Sequence, residues 1–243
     1  MKVPRLFRRR HVWVPTVWSW LILLVAGGVT LTLAGRQVSF FLAPNQPVGA
    51  RLLVVEGWMD AAELDAAIAA YRSGGYQQAV TTGGPIEAFE RVDATTTYAE
   101  RARGYLVRNG LPTGSVTAVP SPASPQDRSF LNAVMVRDWV TRSGLAVDAL
   151  DVFSSGVHGR RSWALYRMAF GSPVRVGILS ARPSNYDLDQ WWRTSAGTKE
   201  VLAETIGWIW TKVFFHPGRR GTEDELWGVH ETGEPTTATE GTR

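Results

Sequence analysis

The sequence predicts a three-layer α/β domain built on a parallel sheet of about five strands, preceded by one N-terminal transmembrane helix. Three observations carry that reading. Val12 to Ala34 contain no formal charge. Five short apolar runs follow, with stretches of helical periodicity between them. Those runs are near-continuously apolar rather than alternating, the pattern of strands covered on both faces. Strand–helix alternation on this scale implies right-handed crossovers and parallel pairing, a Rossmann-like arrangement.

The elements follow in chain order. Residues 1–11 carry Lys2, Arg5, Arg8, Arg9 and Arg10 and no acid. The uncharged segment 12–34, at ~1.5 Å per residue, covers the ~30 Å hydrocarbon core of a bilayer. Pro15 suits its first turn, and Trp13, Trp18 and Trp20 cluster at the basic end like an interfacial belt. Five cations before the segment against Arg36 alone just after it predict a single pass through the cytoplasmic membrane, N-terminus in and the domain extracytoplasmic. A cleavable signal would have a shorter apolar core and a small-x-small site; Leu31–Gly35 matches poorly, so a retained anchor is preferred. Residues 35–49 read as a linker.

The domain is assigned to residues 50–216. Its strands are Arg51–Glu56, Gln78–Thr82, Ser115–Val119, Ala149–Ser154 and Val174–Ser180. Asp60 and Glu63 form a capping-box-like start, with Leu64, Ala67, Ile68 and Tyr71 at helical spacing and Gly74-Gly75 as the stop. Further helices are expected at about 96–109, 126–143 and 157–170, with Gly110 and Gly171 as stops. A last helical pattern, about 198–215, is apolar but interrupted by Lys199, Glu200, Glu204 and Lys212. It reads as a helix packed on the sheet or lying near the membrane surface, not as a second span. Residues 217–243 turn polar and are expected to be disordered.

Composition excludes several functions. There is no cysteine among the 243 residues, so disulfide scaffolds, thiolate metal sites and Cys nucleophiles are out. Five of the 26 Lys+Arg lie in residues 1–11, and the 21 that remain face 22 Asp+Glu. The basic balance therefore belongs to the N-terminus, and nucleic acid is not an expected partner. No G-x-G-x-x-G, P-loop or Gly-x-Ser-x-Gly motif occurs, nor the His and Glu spacings of a metal site. No cofactor and no metal are expected.

In an open parallel sheet, ligands lie beyond the carboxyl ends of the strands. Those ends carry Glu56-Gly57-Trp58, Thr82-Gly83-Gly84, Asp127-Arg128 and Ser154-Ser155, which leads into Gly156-Val157-His158-Gly159-Arg160-Arg161. Gly83-Gly84 permits a tight turn and close backbone approach. Ser154 to Arg161 places two hydroxyls, a helix start, a histidine and two guanidiniums together, which suits a phosphate or carboxylate. His158, Glu56 and Asp127 are the expected acid–base groups, and Glu100 is a further carboxylate on the same edge. Gly57, Gly83, Gly84, Glu100, Arg128, Ser154, Ser155, Arg160 and Arg161 are expected to bind ligand. Trp191-Trp192-Arg193 offers an aromatic wall or a packing cluster.

The order of these motifs resembles the YdcF/ElyC/SanA-like bacterial envelope family. The resemblance rests on the anchor, Glu56-Gly57, Thr82-Gly83-Gly84, Tyr98-Ala99-Glu100, Gly110-Leu111-Pro112, Asp127-Arg128 with Asn132-Ala133, and Ser154-x-x-x-His158-x-Arg160-Arg161. It covers about residues 50–180. It implies a Rossmann-like fold and a role in cell-envelope integrity, in peptidoglycan or lipid-carrier metabolism, with Gly83, Gly84, Glu100, Ser154, His158 and Arg161 at the family's motif positions. Two departures stand at the ligand edge: Glu56-Gly57-Trp58 replaces a glycine-rich turn, and Asp127-Arg128 replaces an Asn-Thr pair. The expected function is a membrane-anchored protein handling an anionic, phosphate-bearing cell-wall or lipid-carrier intermediate. The alternatives are a non-catalytic binding or scaffold protein of the envelope, and a methyl-donor (S-adenosylmethionine) enzyme, which the first-strand departure disfavours.

Overall fold

A computed structural model describes residues 15–87, 95–124, 128–222 and 225. The chain forms two compact units that divide between Gln37 and Val38. The first holds most of helix α1 (Val17–Leu42), which is long and apolar enough to cross a membrane. Pro15 lies before this helix rather than in its first turn, because the Thr16 hydroxyl accepts from the Ser19 amide and caps the start. Thr30 and Thr32 donate to the carbonyls of Ala26 and Gly28 at 2.8 Å. Those hydroxyls therefore need no water. The helix runs on through Arg36 to Leu42, into the stretch expected to be linker. Its last residues belong to the second unit, where buried Leu42 joins Val157 and Val201.

The second unit is the expected three-layer α/β domain. Strands β1 (Leu52–Glu56), β2 (Gln78–Gly83), β3 (Val116–Pro120), β4 (Ala149–Ser155) and β5 (Arg175–Ala181) form one parallel sheet in the order β3-β2-β1-β4-β5. Helices α2 (Ala61–Ser73), α3 (Tyr98–Arg108), α4 (Arg128–Arg142), α5 (Gly159–Phe170) and α6 (Ser195–Val213) complete it. Successive strand residues face opposite ways. Leu52 and Val54 pack with Phe130 of α4 and Leu165 of α5, whereas Leu53 and Val55 pack with Ile68 of α2 and Leu106 of α3. Both faces of β1 are covered, which is why its sequence does not alternate.

Local signals hold where chemistry fixes them. Asp60 and Glu63 exchange both bonds of a capping box at α2, and Thr97 caps α3. Two buried acids lie in the sheet itself, Glu56 at the end of β1 and Asp151 within β4. Asp151 accepts from the amides of Val48 at 2.7 Å and Ala50 at 3.2 Å, and from the Tyr76 hydroxyl at 2.9 Å. It pins the chain entering β1 to β4. Burial, together with the Asp151 charge, pushes the Tyr76 phenol up.

The chain beyond α6 stays docked further than its polar composition suggests. Phe215 is buried edge-on against Phe130, and the Glu225 carboxylate, 2% exposed, receives both terminal nitrogens of Arg137. Glu225→Ala is expected to lower stability by about 1.5–3 kcal/mol, the scale of a hydrogen bond to a charged group, since Arg137 keeps Asp138 but loses its buried partner. Urea denaturation checks this; an unchanged midpoint would return the segment to a loose tail.

Candidate functional site

The strand order reverses at β1, with β2 on one side and β4 on the other, so a cleft opens beyond the carboxyl ends of these strands. Glu56 closes β1 and is fully buried. Ser154 donates to one carboxylate oxygen at 2.6 Å and Ser162 to the other at 2.8 Å. Two hydroxyls from β4 and α5 thus lock the carboxylate beneath the cleft. Gly57 follows with its amide on the Thr82 carbonyl at 2.7 Å.

His158 ends a short turn (Gly156–His158) that leads into α5. Gly156 has φ +34°, and a Cβ there would stand 2.6 Å from Pro183 Cγ, so the turn needs glycine. His158 Nδ1 is 2.8 Å from Glu204 Oε1. Arg161 grips the same carboxylate twice, Nε to Oε2 at 2.8 Å and Nη2 to Oε1 at 2.9 Å. Burial pushes the Glu204 carboxyl up, but the hydrogen bonds from Arg161 and His158 outweigh it and hold the group down at about 2. At Nδ1 the carboxylate can only accept, whereas Arg161 Nη2, 3.0 Å from the same nitrogen, can only donate, so the two neighbours favour opposite tautomers. Nε2 is left buried with no hydrogen-bond partner among the described residues. Glu56 Oε2 stands 3.9 Å from it, and the Trp58 ring meets the imidazole edge-on at 5.0 Å.

These groups form one wall of a cavity of about 420 Å³. Across it lie Gly83-Gly84, Ser121, Ser124 and the first turns of α4, with Arg128, Ser129 and Asn132. Gly83 takes φ +149°, and a Cβ there would lie 2.7 Å from that of Tyr98, so the bare backbone borders the cavity. The Ser121 hydroxyl donates to Asn132 Oδ1 at 2.6 Å, fixing the loop after β3 to α4. The α4 start turns the positive end of its dipole to this side. Among the described residues the lining carries three carboxylates, Glu87, Glu200 and Glu204, against two guanidiniums, Arg128 and Arg161.

The expected residues divide accordingly. Gly83, Gly84, Arg128, His158 and Arg161 line this cavity, with Glu56 buried beneath His158. Arg160 does not line it. Consecutive helical residues point about 100° apart; the Arg160 side chain turns outward, donates to the Phe41 carbonyl and lies over the Phe41 ring at 3.9 Å. Glu100 is exposed and accepts from the hydroxyls of Thr96 at 3.3 Å and Thr97 at 3.0 Å, which makes it part of the α3 cap. Ser154 is committed to Glu56. Ser155 donates to Glu63 and borders a separate cleft of about 200 Å³. Gly57 is required by backbone packing and lines neither cavity. Asp127 lies outside the described residues. Trp191 packs beside Leu42, Val157 and Val201. No group of three or more His, Asp or Glu able to hold a metal occurs among the described residues.

Glu204 and Ser162 are the functional residues that motif reading missed. Glu204 had a signal, a carboxylate three residues after Val201 and four before Trp208, on the inner face of an apolar helix. Comparison with protein-family models and with curated proteins finds no match. The geometry and the motif order carry the functional reading by themselves.

Proposed function

We propose that the protein is a single-pass, membrane-anchored member of the bacterial cell envelope whose cleft handles a phosphate-bearing cell-wall or lipid-carrier intermediate, with His158 as its acid–base group. The observation that carries this is the His158 imidazole, which borders the cavity with Nδ1 on an ionised carboxylate and its buried Nε2 3.9 Å from Glu56 Oε2, without a hydrogen-bond partner among the described residues. In that setting the imidazole takes a proton from an attacking hydroxyl or returns one to a leaving oxygen, and Glu204 stabilises the imidazolium. The phosphate is held across the cavity by Arg128, the α4 amides and the Gly83-Gly84 turn, since Arg161 is neutralised by Glu204. Positioning and charge stabilisation are most of what phosphoryl chemistry asks of a protein. The resemblance to the YdcF/ElyC/SanA-like family supports the envelope assignment, and the charge asymmetry around α1 supports an extracytoplasmic domain.

A second reading, ligand binding without turnover, is favoured by the excess of carboxylates over guanidiniums in the lining. The test uses the full chain in detergent, with a polyprenyl diphosphate as probe. Arg128→Ala is expected to weaken binding by about 1.5–3 kcal/mol, the scale of a charge-assisted hydrogen bond. His158→Gln should retain binding and lower turnover by about 10²–10⁴-fold. Wild-type binding without turnover selects the second reading, and binding indifferent to Arg128 removes the phosphate site.

A further inference from the structure

The outer face of α6 is apolar where it meets solvent. Leu202, Ile206, Ile209 and Val213 recur at i, i+4, i+7 and i+11, which stacks them in one stripe. Ile206 is 68% exposed, and Phe214, just past the helix, 66%. The inner face is already occupied, with Val201, Glu204 and Thr211 buried. Scattered exposed apolar residues need no explanation, but a contiguous row marks a contact surface.

Two neighbours of the stripe indicate what covers it. Beside it runs a groove of about 690 Å³ whose lining holds Arg160, Arg167, Arg175 and Lys212 and, among the described residues, no carboxylate. Arg175 meets Asp148 at 3.5 Å, an exposed pair of little strength. The second neighbour is the end of α1. Phe41 stands edge-on against Trp208 of α6, ring centroids 5.0 Å apart. Phe40 and Phe41 follow the apolar segment by a few residues in the same helix. Phe41 comes seven residues after Ala34 in the chain, a short tether that keeps Phe41 and its neighbour Trp208 near any bilayer holding that segment.

We propose that α6 is a second membrane contact, lying in the plane of an anionic bilayer with its apolar stripe in the interfacial layer and the basic groove against lipid phosphates. This rests on the reading of α1 as an anchor. An amphipathic helix so placed sits about 5–10 Å into the boundary between headgroups and acyl chains. The sequence has no cysteine, so single-site labelling needs no background removal. Full-length Ile206→Cys and Ile209→Cys, each carrying an environment-sensitive fluorophore, are reconstituted in vesicles of phosphatidylcholine alone or mixed with phosphatidylglycerol. Thr113→Cys, exposed before β3, is the reference.

On the anionic vesicles, emission at 206 and 209 should shift to the blue and be quenched by lipids with a nitroxide high on the acyl chain, with neither effect at 113. Arg167→Gln and Lys212→Gln should each lower the docked-to-free ratio about 5-fold. Failure of the chain to float with the vesicles overturns the anchor and this proposal with it. Flotation with 206 and 209 still in water overturns the docking alone. A blue shift that grows with protein density and resists nitroxide quenching assigns the stripe to a second copy of the chain, and also overturns it.

Discussion

Glu204→Gln should lower stability by about 3 kcal/mol at neutral pH. A carboxyl held at about 2 instead of its ordinary 4.5 contributes roughly that amount, at ~1.4 kcal/mol per pH unit. The sign follows from the direction. The folded state prefers the ionised form, so the contribution is complete above pH 4.5 and is lost as the pH falls toward 2. Wild type and variant should therefore converge in acid. Gln keeps the shape of the side chain but not the charge facing Arg161 and His158, so turnover on a phosphate substrate should fall by at least about 10²-fold, as when the orienting carboxylate of a catalytic His is neutralised. Urea titrations at several pH values decide the matter. A gap that persists undiminished at pH 2 would refute the ionised assignment.

Asp151→Ala should cost about 3–5 kcal/mol, since each buried donor left without an acceptor costs about 1–3 kcal/mol. Two backbone amides and the Tyr76 hydroxyl lose their acceptor at once. Those amides lie where the chain enters β1, so the damage reaches the centre of the sheet. Asp151→Asn should fall between, because an amide turns an NH₂ group toward one of the donors. Denaturation midpoints measure both; a loss below 1 kcal/mol for Asp151→Ala would mean that water replaces the carboxylate.

The frame of this molecule is written locally and the site is not. Val54 and Val152 lie in runs without alternation because helices cover both faces of the sheet, and the Asp60–Glu63 cap is a three-residue pattern. Each is readable from a few adjacent letters. Glu204 reaches His158 across 46 positions, so no spacing rule could pair them. Arg160 and Arg161 show the opposite failure. Neighbouring letters suggested one joint role, and the turn of the helix sends one guanidinium into the cleft and the other toward Phe41. Glu100 had a cap to serve, and its exposure became visible only once α3 was placed.

Gly57 and Trp58 differ sharply in how much variation they can absorb. A Cβ on Gly57 would lie 2.8 Å from the Thr82 carbonyl oxygen and closer still to that of Tyr98, and neither backbone atom can yield. Trp58, one residue on, is 38% exposed and borders both the main cavity and the smaller one. Mutational drift is therefore blocked at 57 and open at 58. The shape of both cavities in descendants of this sequence has an inexpensive dial at position 58, mounted on a joint that tolerates only one of the twenty amino acids.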